Sequence, residues 1–205
     1  MDLLTILLLS GAILLTRVSN LRLAINVIVA QSVIVALACA VIGFQTAEAH
    51  MYIAALLTSV IKVGLIPYAL YRVLPHLHQE REIIGANSTT LIAILAIILS
   101  YGLIGKALPN VSADGPLAAS VALTFVGLLL IMTRSQALMQ TIGLITMENG
   151  LYLFGLSITN GLPLIIELGI FLDVLVAVVV LVILTYRLKL SFASTDTSLL
   201  KKLKG

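Results

Sequence analysis

The chain has 205 residues, of which 60% are hydrophobic and 10% are charged, and its mean hydropathy is +1.18. Soluble domains of this size carry about 25% charged residues, so the composition excludes an ordinary soluble protein and predicts an integral membrane protein. The net charge of +3 does not indicate a nucleic-acid partner, because the basic residues lie between apolar runs and near the C-terminus.

Seven apolar segments predict an all-α, polytopic membrane protein, since only helices satisfy the backbone of such segments in lipid. The first begins with Asp2 where a signal peptide would carry basic residues, so we expect a retained helix. The first and fifth segments are short for a span. The seven lie at Asp2–Thr16, Leu23–Phe44, Met51–Leu74, Thr89–Leu108, Leu117–Thr133, Leu138–Ile158 and Pro163–Tyr186.

We expect one membrane domain over residues 1–205. Residues 2–133 would form five helices, including the one that carries Lys62, residues 134–190 the last helices, and residues 191–205 a basic cytoplasmic tail.

The loops predict the orientation of the chain in the membrane. Of the twelve Lys and Arg residues, Lys62 lies inside a span and Lys106 lies on one side. The other ten fall on the opposite side: Arg17, Arg22, Arg72, Arg81, Arg134, Arg187, Lys189, Lys201, Lys202 and Lys204. Because basic loops stay in the cytoplasm, we expect a protein of the cytoplasmic membrane with its N-terminus outside and its C-terminus inside.

Four charged residues lie more than one helical turn from either end of a predicted span. Lys62, Glu148 and Asp173 are near the middle of three different spans, and Glu167 lies roughly 9 Å closer to the outer face, at about 1.5 Å per residue. An unpaired charge at the bilayer centre costs about 2.5–3.5 kcal/mol on insertion scales, so we expect these groups to face one another or a wet interior. A nearby cation favours an ionised carboxylate and burial favours a neutral one, a balance suited to proton exchange. We therefore predict a proton path.

Neighbouring polar residues are candidate accessories of this path. Thr58 and Ser59 lie one turn before Lys62, so their hydroxyls are expected to accept from its ammonium group. Tyr152 lies one turn after Glu148 and is expected to donate to its carboxylate.

Other polar residues predict breaks, an exit or helix contacts. Asn149–Gly150 predicts a kink or π-bulge in the sixth span, and Pro67 predicts a break in the third. His50 marks the outer mouth of the third span, as a proton exit or an interface residue. Three polar residues of the second span are expected to form interhelical hydrogen bonds: Asn26, Gln31 and Ser32.

The lone cysteine, Cys39, is expected to be plain packing. No motif with metal-ligand spacing occurs, and we predict neither a metal site nor a cofactor.

The runs "LITMENGLYLFGL" and "IIELGIFLDVLVAVVVLVILTYRLK" resemble the C-terminal half of the hydrogenase-4 component E family. The segment "TSVIKVGLIPYALYRVLP" resembles the third span of that family, with its buried lysine and following proline. This family contributes a membrane subunit to NiFe hydrogenase complexes of the formate hydrogenlyase type.

The last three spans also resemble the NuoK subunit of respiratory complex I and the related MrpC subunit of cation/proton antiporters. In "IGLITMEN" the position of the expected glutamate is Ile145, and the carboxylate appears three residues later at Glu148. Asp173 takes the place of the second glutamate of that subunit.

The resemblance implies a subunit without a catalytic centre, placed among antiporter-like and NuoH-like membrane subunits and linked indirectly to a peripheral NiFe hydrogenase arm. Such a subunit would help carry a proton or ion path coupled to redox chemistry. Two alternatives stay open: a subunit of a multisubunit cation/proton antiporter without a redox module, and a scaffold in which the buried charges only set helix packing.

Overall fold

The computed structural model describes residues 2–47, 49–74, 85–107 and 114–159. Every regular element in these ranges is helical, and no strand occurs within them, which confirms the all-α class for this part of the chain. The elements are α1 (Asp2–Arg17), α2 (Leu21–Thr46), α3 (Ala49–Thr58), a π-helix (Ser59–Leu65), α4 (Ile66–Val73), α5 (Ala86–Ala107), α6 (Asp114–Thr133) and α7 (Ala137–Thr159).

Five helices in the described ranges are long and apolar enough to cross a membrane. One of them, Met51–Arg72, runs without interruption through α3, the π-helix and α4, and α1 is apolar but shorter. The predicted seventh span, Pro163–Tyr186, lies outside the described residues, as does the predicted tail at 191–205, so the total of seven spans stays a prediction.

The prediction of a short fifth span was wrong. The sequence indicated Leu117–Thr133, but α6 begins at Asp114, and its stretch Gly115–Thr133 is long enough to span. Pro116 lies in the first turn of α6, where a proline removes no hydrogen bond, because the first N–H groups have no intrahelical acceptor.

Helices α6 and α7 approach each other closely through glycines. A Cβ atom on Gly127 would overlap the backbone of Met147, and one on Gly150 would lie 2.6 Å from the backbone nitrogen of Thr124. A Cβ on Gly143 would lie 3.0 Å from the carbonyl oxygen of Gly127. In lipid, where apolar burial drives little association, such close backbone contact supplies the van der Waals packing between helices.

The predicted break at Asn149–Gly150 was also wrong, because α7 is a continuous α-helix from Ala137 to Thr159. A helical glycine weakens its own helix, but here Gly150 lets the backbone of α6 approach closely at Thr124. The tertiary contact accounts for the glycine, and the helix stays regular.

Two apolar clusters fill the interior of the described bundle. One contains residues from α1, α2, α4, α6 and α7, among them Leu15, Ile25, Leu70, Leu130 and Ile142. The other includes Leu8, Cys39, Met51, Leu123 and Leu153. Cys39 is fully buried in this second cluster, as expected for a packing residue.

Arg134 lies in the short connection between α6 and α7, where the charge pattern indicated a loop residue on the cytoplasmic side. It is buried, and its Nη2 donates to the backbone oxygens of Leu15 at 3.3 Å and Thr16 at 2.6 Å. The last carbonyls of a helix have no intrahelical donor, so this guanidinium satisfies the end of α1. Burial lowers the pKa of Arg134 from its ordinary value. Arg134 thus ties the α6–α7 connection to α1.

Candidate functional site

Lys62 lies on the π-helix Ser59–Leu65, within the third span. Hydrogen bonds in a π-helix join residues five apart instead of four, and here the N–H of Ile66 donates to the carbonyl oxygen of Ile61. Pro67 follows directly. A proline has no N–H for the carbonyl four residues before it, and its ring crowds that carbonyl, so we attribute the widened turn to Pro67. The predicted break at Pro67 was wrong, because the helix continues through the proline; its local effect is this π-helix.

The Lys62 ammonium group reaches α7 and meets three side chains there. Its Nζ lies 3.3 Å from Oε1 of Glu148 and 3.0 Å from Oδ1 of Asn149. It also stands 5.9 Å from the centre of the Tyr152 ring, within the range of a cation–π contact. We refer to Lys62, Glu148, Asn149 and Tyr152 as the Lys62 cluster.

The Lys62 cluster is buried. The exposed fractions are 2% for Lys62, 1% for Glu148, 0% for Asn149 and 7% for Tyr152. A buried ion pair is tolerated only when good geometry and further hydrogen bonds offset the desolvation of both charges, and breaking it from one side leaves a costly unpaired charge. Here a neutral amide and an aromatic ring from the same helix also contact the ammonium group.

This geometry suits proton exchange. An ammonium group and a carboxylate within hydrogen-bond distance can be charged together, or the carboxylate can bind a proton arriving from elsewhere while the cation stays in place. General acid–base groups need such contact with their proton donor or acceptor.

The two predicted accessory residues of the third span, Thr58 and Ser59, lie in different environments. Thr58 is buried directly before the π-helix. Ser59 is exposed, and its hydroxyl donates to the carbonyl oxygen of Ala55 at 2.8 Å, so its predicted place beside Lys62 was wrong. The reason is the π-helix: it rotates less per residue than an α-helix, so three residues no longer bring Ser59 back to the face of Lys62.

Tyr152 lies beside the ion pair, as its spacing from Glu148 predicted. The contact seen in the structure, however, is between its ring face and the Lys62 ammonium group, rather than donation by its hydroxyl.

Of the three remaining predicted site residues, the described chain includes only His50. Asp173 and Glu167 fall outside the described residues, so their relation to the Lys62 cluster stays a prediction. His50 belongs to the first turn of α3. Among the described residues, no group of three His, Cys, Asp or Glu side chains could hold a metal ion.

Asn149 is the member of the cluster that the sequence interpretation missed. The interpretation took Asn149 as a helix-weakening residue, although a polar side chain directly beside a midspan glutamate was a signal for a shared partner. Residues one apart on an α-helix point in directions about 100° apart, so the long Lys62 side chain meets both from the groove between them.

A second polar contact joins three helices near the cluster. The Gln31 side chain on α2 donates from Nε2 to the carbonyl oxygen of Leu8 on α1 at 3.0 Å. The Thr146 hydroxyl on α7 donates to the carbonyl oxygen of Ile142 at 2.9 Å and lies 3.5 Å from Oε1 of Gln31. Asn26 accepts from the hydroxyl of Tyr71. The predicted interhelical hydrogen bonds of the second span are thus present for Gln31 and Asn26. The buried Ser32 hydroxyl has no hydrogen-bond partner among the described residues.

Comparison with known proteins gives two kinds of relative. No protein-family model and no solved structure matches the chain. Over 86 residues it is 38% identical to the uncharacterized protein Rv0085 of Mycobacterium tuberculosis, a match that covers 42% of this chain and 39% of that protein.

Over 207 residues the chain is 28% identical to hydrogenase-4 component E of Escherichia coli, and the alignment covers 96% of each protein. The protein of the same name from Shigella flexneri matches to the same extent. The predicted resemblance is confirmed: this multi-pass membrane protein is a homologue of hydrogenase-4 component E.

Proposed function

We propose that this chain is a membrane subunit of a membrane-bound hydrogenase assembly related to respiratory complex I, and that its Lys62 cluster forms part of a proton path. Two findings support the assembly: similarity to hydrogenase-4 component E along 96% of the chain, and five helices in the described residues that are long and apolar enough to cross a membrane. The proton path rests on one observation, the buried contact between Lys62 and Glu148 at 3.3 Å.

In this proposal Glu148 alternates between an ionised and a protonated state. The ionised state is stabilised by the Lys62 ammonium group, and the protonated state by the low polarity around it. Neither state is prohibitive, so a proton can enter and leave without a large barrier. Asp173 and Glu167 on the predicted seventh span would continue the path, with Thr58 beside Lys62 and His50 at the outer end of the third span.

The proposed partners are antiporter-like and NuoH-like membrane subunits and, through them, a peripheral NiFe hydrogenase arm. The last helices would take the place of a NuoK-type subunit in that assembly. Purification of the tagged subunit in mild detergent tests this: a NiFe hydrogenase large subunit should accompany it. Recovery with antiporter subunits and no redox protein would favour the cation/proton antiporter alternative.

The proposed orientation has the N-terminus outside and the C-terminus in the cytoplasm, as the sorting of ten basic residues to one side favours. A reporter that is active only in the cytoplasm, fused after Gly205, should be active. The same reporter placed before Met1 should be inactive. Activity at both ends would refute an odd number of spans.

The charges at Lys62 and Glu148 can be tested against a purely structural role. Glu148→Gln keeps size and hydrogen bonding but cannot titrate. On the proposal, this variant assembles and retains redox chemistry, while proton translocation in sealed vesicles falls. Lys62→Met should also lower translocation, because the ionised carboxylate loses its cation.

If the pair is structural, each single variant should instead reduce the amount of assembled subunit, and the double variant should restore it, since removing both partners can be nearly neutral. Restored assembly with full translocation in the double variant would assign the pair to structure. The measurements are subunit content by immunoblot and proton movement per redox turnover.

A further inference from the structure

The hydrogen bond from Lys62 to Asn149 is shorter than the contact to Glu148: 3.0 Å to the amide oxygen against 3.3 Å to the carboxylate. An ammonium group has three donors and no acceptor, so it must be the oxygen of the amide that faces Lys62. Both acceptors come from consecutive residues of α7, and both are at least as buried as Lys62 itself. The cation is therefore held between a titratable and a non-titratable acceptor.

These two acceptors respond differently when a proton arrives. Protonation removes the negative charge of Glu148 and with it most of the attraction for the cation. The Asn149 oxygen and the Tyr152 ring keep their interactions with the ammonium group, because neither changes charge. A protonated Glu148 offers Lys62 only a neutral acceptor oxygen, and a buried ammonium group is costly unless acceptors that keep their interaction lie beside it.

We propose that Asn149 is a positioning residue that holds the Lys62 ammonium group in place in both charge states of Glu148. This inference rests on the proposed function, in which Glu148 gains and loses a proton. Asn149 takes part in no proton transfer itself. It acts through Lys62, so that the cation is in position for the next ionised state.

A packing role explains Asn149 less well. The other end of its amide, Nδ2, is buried and has no hydrogen-bond partner among the described residues. A half-satisfied buried amide is costlier than an apolar side chain of the same shape, so packing alone favours leucine at this position. The close approach of α6 is made by the neighbouring Gly150, not by Asn149. The contact with Lys62 is what the amide supplies.

The test compares two nearly isosteric variants in the complete membrane assembly. Asn149→Leu removes the acceptor, and Asn149→Asp keeps an acceptor oxygen in the same place. Asn26→Leu is the matched control, because Asn26 also accepts from a side chain of the third span but lies outside the cluster. Proton movement per redox turnover in sealed vesicles and subunit content are measured for each.

We expect Asn149→Leu to lower proton movement about tenfold to a hundredfold, the scale of one hydrogen bond to a charged group, with Asn149→Asp recovering a large part of it. Asn26→Leu should leave proton movement unchanged. In a Lys62→Met background, Asn149→Leu should have no further effect on proton movement or subunit content, because its partner is already gone.

Unchanged proton movement in Asn149→Leu would overturn the inference, and so would equal losses in the Leu and Asp variants. If Asn149→Leu fails to accumulate, the Lys62→Met background decides: recovery there supports action through Lys62, and failure there refutes it. Glu148→Gln distinguishes failure of the proposed proton path from failure of the proposed role of Asn149. Full proton movement in that variant refutes the proton path itself. Loss in Glu148→Gln with none in Asn149→Leu removes only the role of Asn149.

Discussion

Helices α5 and α7 have similar lengths, yet they occupy opposite environments. In the central part of α7, 67% of the residues are buried, against 22% in α5. The buried helix is the one that carries Glu148 and Asn149, whereas α5 presents Leu91, Leu95 and Leu103 outward. Of these two helices the more apolar one, α5, lies outward, because lipid solvates an apolar surface well, whereas polar groups are driven to the protein interior.

Glycines sharpen this contrast. On α6 and α7, added Cβ atoms at Gly127, Gly143 and Gly150 would meet the neighbouring helix at or below 3.0 Å. On α5, added Cβ atoms at Gly102 and Gly105 would meet nothing within 4 Å. The same residue type therefore marks a tight helix contact in one region and carries no contact in the other, and substitutions can distinguish them.

The largest expected effect is that of Gly127→Leu against Gly102→Leu. A leucine at Gly127 would push α7 away from α6, an overpacking that costs about 3 kcal/mol or more. We expect the amount of folded subunit in membranes to fall severely for Gly127→Leu, while Gly102→Leu accumulates as the wild type does. Equal accumulation of the two variants would refute the close α6–α7 contact.

Arg134→Met should give the next largest effect. It removes both hydrogen bonds to the end of α1, and a hydrogen bond from a charged donor contributes about 1.5–3 kcal/mol. Arg72→Met is the control, because Arg72 is exposed and lies on the same side in the predicted topology. The thermal unfolding midpoint in mild detergent should drop for Arg134→Met and stay near the wild-type value for Arg72→Met. A matching drop in both would mean that only the loop charge matters.

A smaller and opposite pair of effects is expected from Gly150→Ala and Gly105→Ala. Alanine favours a helix by about 1 kcal/mol over glycine, so Gly105→Ala should leave the unfolding midpoint unchanged or raise it. At Gly150 the added methyl group meets the backbone of Thr124, and overpacking of about 1–3 kcal/mol should outweigh that gain. A raised midpoint in Gly150→Ala would show that α6 can move aside at little cost.

Much of the described fold was predictable from the sequence, for physical reasons. Long apolar segments can only be helices in lipid, and counting residues along them placed Lys62 and Glu148 at one depth before any contact was known. The contact itself follows because two opposite charges at that depth are costly apart.

Other features were not predictable from hydropathy or spacing. The π-helix changes the face on which Ser59 lies, and no apolar pattern encodes that change. The burial of Arg134 was not predicted, because the distribution of charges between loops does not indicate which loop residue is buried. The contact of Asn149 with Lys62 was not predicted, because helix propensity describes the backbone and not the hydrogen-bond capacity of the side chain.

The central claim, that Glu148 is buried beside Lys62 in order to pass protons, is tested most directly by the number of protons moved per redox turnover in sealed vesicles. Wild type, Glu148→Gln and the control Gln31→Leu are compared, since Gln31 is an equally buried polar residue that bonds other helices. The account predicts that Glu148→Gln has normal subunit content and redox turnover but loses most proton movement. Assembled Gln31→Leu is predicted to move the normal number of protons per redox turnover. Full proton movement in assembled Glu148→Gln would contradict it.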